Sequence, residues 1–299
     1  MDPAAAISPA GKITRGVLAA YTIATAFVVI TAAWRAASAP NPLPGSSFGR
    51  AGWVLTVLHL ALLGCLILAA AGGPRRRVVA DWLPLLALPL LYAELPVVIA
   101  TLGGQYHDAM VQGWEFALFN SQPARTLAAA LPITPLSELL HASYLSYYLI
   151  VYVPPLILYL SGKRAHFDEA VLAVTIAYVM CFTTFAFFPV EGPRYEWLPS
   201  SAMPHGMFRS LAVRLLQAGS SRGAAFPSSH VALTVAQSLA FIRWRRDVGA
   251  GLLVLSALVA LGAVYGGFHY AVDVIAGAGV GIVSWAVLVG VANVPHRTS

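Results

Sequence analysis

The chain has 299 residues, 59% of them hydrophobic and only 10% charged, with a mean hydropathy of +0.75; that balance excludes an ordinary soluble domain. A net charge of +6 and a pI near 9.5 would suit a nucleic-acid partner, but the cations cluster at the ends of apolar runs, where membrane topology and anionic headgroups account for them. The expected fold class is all-α, a polytopic integral membrane helix bundle, and no segment resembles a nucleic-acid module.

A span needs roughly 17 to 25 apolar residues to cross a hydrocarbon core of about 30 Å. Such stretches run near 17–34, 52–71, 79–101, 136–160, 167–188, 229–242, 248–266 and 270–291, which predicts about eight transmembrane helices. The first follows Lys12 and Arg15; it exceeds a signal-peptide core of roughly 7–15 residues and is expected to remain as an uncleaved helix. If spans alternate, Lys12, Arg15, Arg75, Arg76, Arg77, Lys163, Arg164, Arg243, Arg245, Arg246 and Arg297 share one side, which the positive-inside rule makes cytoplasmic. Both termini are then cytoplasmic, and Arg194, His230 and His269 emerge together on the extracytoplasmic face of the cell (inner) membrane. Cys65 and Cys181 fall inside spans and read as small buried apolar residues rather than a disulfide or metal pair.

Polar or broken stretches punctuate this pattern. Ala39 to Gly45 is a Pro-rich connector without catalytic residue types. The third span carries Pro84, Pro89 and Pro96 around Glu94, a carboxylate expected either to pair inside the bundle or to lie near the solvated outer end. From Gly103 to Pro135, Met110, Trp114, Ala117 and Leu118 recur at helical spacing and Leu127 to Leu131 add an apolar patch, as for helices lying on the outer interface and roofing a site. Pro189 to Ser229 places Arg194, Arg209, Arg214 and Arg222 on the side where cations are disfavoured. Arg209 and Arg214 are assigned to an amphipathic interfacial helix around Met207 to Ala218, reaching lipid headgroups. Arg194 and Arg222 are assigned to a phosphate ligand, with a salt bridge to Glu191 or Glu196 as the alternative for Arg194. No internal repeat marks an inverted-repeat transporter.

Two motifs carry chemistry. In Phe226-Pro227-Ser228-Ser229-His230 a proline near the first turn fixes φ without losing a needed donor, and Ser228 is placed to cap the helix. Its free N–H groups and dipole make an anion site to which Ser228 and Ser229 contribute, with His230 beside the bound ester as general acid. In His269-Tyr270-Ala271-Val272-Asp273 the two ends are neighbours on one helical face. Asp273 is placed to hold one ring nitrogen of His269 and leave the other as a nucleophile for phosphorus; taken alone, the pair reads equally as a satisfied polar contact between helices. A metal site from His205, His230, His269 and Asp273 is the competing use of these residues, and a lipid-phosphate-binding or translocating protein without catalysis is the competing function. No cofactor or metal is expected.

These residues resemble the type-2 phosphatidic acid phosphatases, especially the branch that includes inositol phosphorylceramide synthases and sphingomyelin synthases. The resemblance covers roughly residues 100 to 291. Pro227-Ser228-Ser229-His230 is similar to the family's Pro-Ser-Gly-His with serine for glycine, and His269 and Asp273 match its final motif. By that resemblance His269 is the nucleophile, Asp273 its orienting acid, His230 the acid for the leaving group, and Arg194 the first-motif arginine. Two family cations are missing: the lysine position seven residues before Arg194 is Phe187, and the arginine position six before His269 is Ala263. Either Arg222, with Tyr265, compensates, or the protein belongs to the branch that never used those cations; lost activity is the third alternative, disfavoured by the intact His230, His269 and Asp273. The resemblance implies a lipid phosphatase or phosphotransferase acting through a phosphohistidine on a phospholipid, polyprenyl or sphingolipid phosphate. Residues 1–100 would then be N-terminal transmembrane helices, 101–291 the catalytic membrane domain and 292–299 a cytoplasmic tail.

Overall fold

The computed structural model describes residues 8–38, 50–70, 74–199 and 202–292; the connector around Ala39 to Gly45 and the tail with Arg297 lie outside them. Among the described residues the chain forms α1 (Pro9–Ser38), α2 (Arg50–Ala70), α3 (Pro74–Ala93), α4 (Leu95–Leu102), α5 (Asp108–Phe119), α6 (Pro123–Ala130), α7 (Thr134–Leu145), α8 (Tyr147–Leu160), α9 (Arg164–Phe187), α10 (Pro193–Glu196), α11 (Met207–Gly219), α12 (Ser229–Ile242), α13 (Arg246–Tyr265) and α14 (Ala271–Ala292).

Helices α1, α2, α9, α13 and α14 are long and apolar enough to span a membrane, and two bent pairs, α3 with α4 (53°) and α7 with α8 (45°), bring the number to seven. The eighth expected span is α12, whose 14 residues rise only about 21 Å, short of a hydrocarbon core of about 30 Å. Its length is tolerable because α9, α13 and α14 enclose it and most of its side chains are buried, so its ends meet protein before lipid. The α3–α4 bend falls at Glu94, two residues before Pro96; a proline there lacks the N–H and its ring strikes the carbonyl one turn back.

Glu94 is 1% exposed, and both its oxygens lie 2.8 Å from Nδ1 of His59, whose Nε2 is 2.9 Å from the Thr22 carbonyl. The carboxylate therefore pairs inside the bundle, tying the bend to α2 and α1, and the solvated alternative falls away.

Phe27, Trp34, Ile67 and Leu160 point outward, as they must where lipid is the solvent. Cys65 joins them: it is exposed on α2, because α2 packs on α1 and α3 with one face only, and only Cys181 is buried as expected. Lipid offers no hydrophobic drive between helices, so close packing must supply it. On α14 a Cβ at Gly277 would lie 2.4 Å from the Ser228 carbonyl oxygen, and one at Gly281 would lie 2.7 Å from that of Ala232. This small-residue stripe lets α14 approach the first turn of α12, where the two chemical motifs begin.

Arg15 bonds Asp81 at 2.8 Å, Arg164 approaches the same carboxylate at 3.7 Å, and Arg243 meets Glu169 at 3.4 Å. The starts of α1 and α9 and the end of α12 thus share one end of the bundle, opposite the end where α9 finishes and α12 and α14 begin.

Candidate active site

Three chain segments converge at that second end. The segment after α9 and the one before α12 run side by side through a single parallel bridge, Val190 to Ala224, with Val190 N–H donating to the Gly223 carbonyl at 3.1 Å and Ala225 N–H to that of Val190 at 2.9 Å. Between them Gly192, at φ +92°, leaves room for only a hydrogen: a Cβ would come within 3.0 Å of Ala225 Cβ. The third segment enters by the Ser228 N–H, which donates to the Asp273 carbonyl at 2.9 Å.

His230 and His269 face each other in this knot, ring centroids 5.7 Å apart and near edge-to-face. Each ring is held by a different nitrogen. His269 Nδ1 lies 3.1 Å from the Ala225 carbonyl and 3.5 Å from Asp273 Oδ2; a proton on Nδ1 serves both, which leaves Nε2 as the free lone pair. Asp273 takes the Tyr270 N–H at 2.8 Å with the same oxygen, so the orienting duty that the sequence gives to Asp273 is shared with a backbone carbonyl. His230 Nε2 lies 3.2 Å from the Tyr144 hydroxyl, and the ring is flanked by Tyr144 at 4.9 Å and Tyr147 at 4.4 Å. Its Nδ1 is buried without a partner among the described residues.

The histidines, Tyr144, Glu191 and Arg194 line a cleft of about 20 Å³, and beyond His230 it continues into a tyrosine-lined groove of about 110 Å³ with Tyr92, Tyr147, Tyr148, Tyr152 and Ser229. Arg194 makes no ion pair among the described residues, and its Nη1 is buried unpartnered, so the salt-bridge alternative does not describe it. Ser228 occupies the N-cap position, but its hydroxyl makes no capping bond and is buried without a partner among the described residues. The hydroxyl is not spent on the helix.

Arg222 is instead committed to Glu191, bonded through Nε and, at 3.2 Å, through Nη2, and lies over the rings of Tyr106 and Tyr195. The Glu191 charge beside it raises the guanidinium's pKa further above its ordinary value. Tyr265 donates to the Leu131 carbonyl at 2.8 Å. Neither occupies the room of the two missing family cations: Phe187 points outward, 72% exposed, and Ala263 is sealed. Arg222→Gln is accordingly expected to change kcat/KM on a lipid phosphate by no more than about twofold, as for a surface ion pair of small worth; a loss of tenfold or more would return Arg222 to the phosphate.

Arg209 does not reach out to headgroups. Its Nη1 lies 3.3 Å from the Met203 and Pro204 carbonyl oxygens and 3.2 Å from His205 Nδ1, because Glu138 caps the first turn of α11 through the Phe208 and Arg209 N–H groups and turns that helix onto α7. Arg214 stays exposed. His205 therefore sits against Arg209, apart from the histidine pair, and the four-ligand metal set is not assembled. Among the described residues the group with metal-ligand spacing is Asp108, Glu191 and Glu196, and Asp108 is already spent on backbone donors.

That use of Asp108 is what the sequence does not reveal. Its two oxygens accept the N–H groups of Glu191 and Gly192, each at 2.9 Å, and Oδ1 also accepts the Tyr270 hydroxyl at 3.1 Å. One and two turns on, Gln112 donates to the Tyr270 oxygen at 2.9 Å and Glu115 accepts the Val272 N–H at 3.1 Å. Burial raises the Glu115 carboxyl above its ordinary pKa, against the pull of the N–H groups of Val272, Ala271 and Ala124. Helix α5 is thus a clamp joining the Arg194 segment to the start of α14.

No curated protein and no solved structure matches the chain. A family model does: the PAP2 superfamily, over residues 116–287. That stretch holds Arg194, His230, His269 and Asp273, along with the helices that bring them together, and by this match over more than half its length the chain belongs to the PAP2 superfamily.

Proposed function

We propose that the protein is an integral membrane lipid phosphatase or lipid phosphotransferase working through a phosphohistidine at the extracytoplasmic face, with residues 101–291 as its catalytic part. The observation that carries the reading is the opposed tethering of the two rings: His269 is held by Nδ1 with Nε2 free, and His230 by Nε2 with Nδ1 free. Family membership supports action on lipid phosphates.

In the first step His269 Nε2 attacks phosphorus and the bond to the leaving oxygen breaks. His230 takes up its second proton when the anionic phosphate group lies beside it, and gives its Nδ1 proton to that oxygen. Arg194, Ser228, Ser229 and the free N–H groups at the start of α12 hold the phosphoryl oxygens. In the second step the neutral His230 takes a proton from water or an alcohol through Nδ1, the new oxygen bonds phosphorus, and the P–N bond to His269 breaks. Water makes a phosphatase and an alcohol a phosphotransferase. The residues His-Tyr-x-x-Asp-Val favour the inositol phosphorylceramide synthase-like branch. The tyrosine-lined groove beside His230 suits the lipid leaving group, and the basic clusters at the opposite end suit the cytoplasm.

The test is phosphate release by the detergent-purified protein from a panel of lipid phosphates, in excess chelator. Metal-independent release that requires His269 supports hydrolysis; label passed only to an added alcohol supports transfer; label on neither, with folded protein, leaves the binding or translocating role. Asp273→Asn is expected to lower kcat about tenfold with KM little changed. Loss of a triad's acid costs about 10⁴-fold where it inverts the tautomer, but here the Ala225 carbonyl still holds the proton on Nδ1. A 10⁴-fold loss would show that Asp273 alone sets the tautomer.

A further inference from the structure

Beside the histidine cleft lies a larger cavity, about 210 Å³, and Arg194 lines both. Arg125 of α6 and Arg209 of α11 line it too, and among the described residues no carboxylate does. Arg125 lies 5.7 Å over the Trp197 ring and has no ion pair among the described residues. Three guanidinium groups around one space repel one another, and an anion placed between them removes that penalty.

An independent observation comes from α7. His141 is 1% exposed and lines the same cavity. Its Nδ1 lies 2.7 Å from the Ser137 carbonyl oxygen, so the proton sits there and Nε2, on the other edge of the ring, is a bare acceptor. That Nε2 is buried without a partner among the described residues, an unfavourable state that a ligand hydroxyl would relieve. Gln217 adds an amide partner for hydroxyl groups, and Trp197 a flat face for carbon.

We infer that this cavity is a second phosphate site, distinct from the phosphoryl group under attack, and that it takes a phosphorylated polyol. The phosphate lies among Arg125, Arg209 and Arg194, and hydroxyl groups meet His141 and Gln217. The inference rests on reading the neighbouring cleft as the phosphoryl-transfer site, since Arg194 joins the two. The ligand has two sources: the far end of the substrate lipid's own headgroup, or a free polyol phosphate that accepts the phosphoryl group. In the second case an acceptor hydroxyl bonds phosphorus, the P–N bond to His269 breaks, and the hydroxyl proton goes to His230 Nδ1.

Binding is measured first, in the detergent-purified His269→Ala protein, which needs no turnover. Calorimetric titration with glycerol 3-phosphate is expected to show binding at least tenfold tighter than with glycerol or inorganic phosphate, weakened tenfold or more by Arg125→Gln and less by Arg125→Lys. Absence of binding, or binding indifferent to Arg125, overturns the site. With the His269 enzyme and a ³²P-labelled lipid phosphate, label appearing in a glycerol diphosphate identifies the free acceptor, whereas competition by glycerol 3-phosphate without labelled product identifies the headgroup end. Intact binding together with no label on His269 from any lipid would remove the reading of the cleft and leave the cavity's ligand standing.

Discussion

His269→Ala is expected to lower turnover of a lipid phosphate by at least about 10⁴-fold, as removal of a covalent nucleophile does, and to abolish the acid-labile phosphoenzyme seen on brief exposure to labelled substrate. The fold should survive the change. The ring's one short bond is to the Ala225 carbonyl at 3.1 Å, and losing a hydrogen bond of that kind costs about 1 kcal/mol, so the detergent-solubilised variant should elute as the wild type does. His230→Ala separates the two roles. With a lipid ester its alkoxide leaves unprotonated and phosphorylation stalls; with an aryl phosphate, whose leaving group needs no proton, the His230 variant should still form the phosphoenzyme while the His269 variant should not. A His269→Ala protein that turns over lipid within tenfold of the wild type would end the phosphohistidine reading, and equal behaviour of the two variants on the aryl ester would end the division of labour.

The parts of this arrangement that lie within one helical turn were legible in the sequence. His269 and Asp273 meet because residues four apart share a face, whereas Pro227 lies just ahead of the Ser228 N-cap, outside the first turn it was expected to open. Arg194 stood out as a cation on the side where none is favoured. The bundle itself followed from hydropathy, and the run at 229–242, short for a span, is a 14-residue helix enclosed by protein. What did not show were bonds between side chains and distant backbone. Asp108, Gln112 and Glu115 are spaced as one face of any amphipathic helix, and the partners of Asp108 lie more than eighty residues away. The same holds for His59, one polar residue in an apolar helix until Glu94, thirty-five residues on, is folded against it. The Glu191 partner of Arg222 was hidden for a related reason, since the Val190 to Ala224 bridge brings the two segments together.

Asp108→Asn tests whether that hidden clamp matters to the chemistry. The carboxylate uses separate oxygens for the Glu191 and Gly192 N–H groups, and an amide can replace only one of them. Its NH₂ then faces a backbone N–H or the Tyr270 hydroxyl, and a buried donor left facing a donor costs about 1–3 kcal/mol. The segment relieves this by moving, and Arg194 moves with it. A displacement near 1 Å in a positioning group costs about a hundredfold in rate, and that is the loss expected in kcat, with KM changing by less than about threefold because the tyrosine-lined groove is untouched. Asp108 acts through Arg194 and Tyr270 and touches no substrate, so a purely structural role must be told apart. The distinguishing measurement is the dependence on Arg194: if the clamp works by placing that guanidinium, Asp108→Asn should add almost nothing to the defect of Arg194→Ala, since coupled residues are non-additive. Defects that multiply would mean that Asp108 holds the fold at large. Unimpaired turnover by Asp108→Asn alone would show that the bridge to Ala224 positions Arg194 without help from α5.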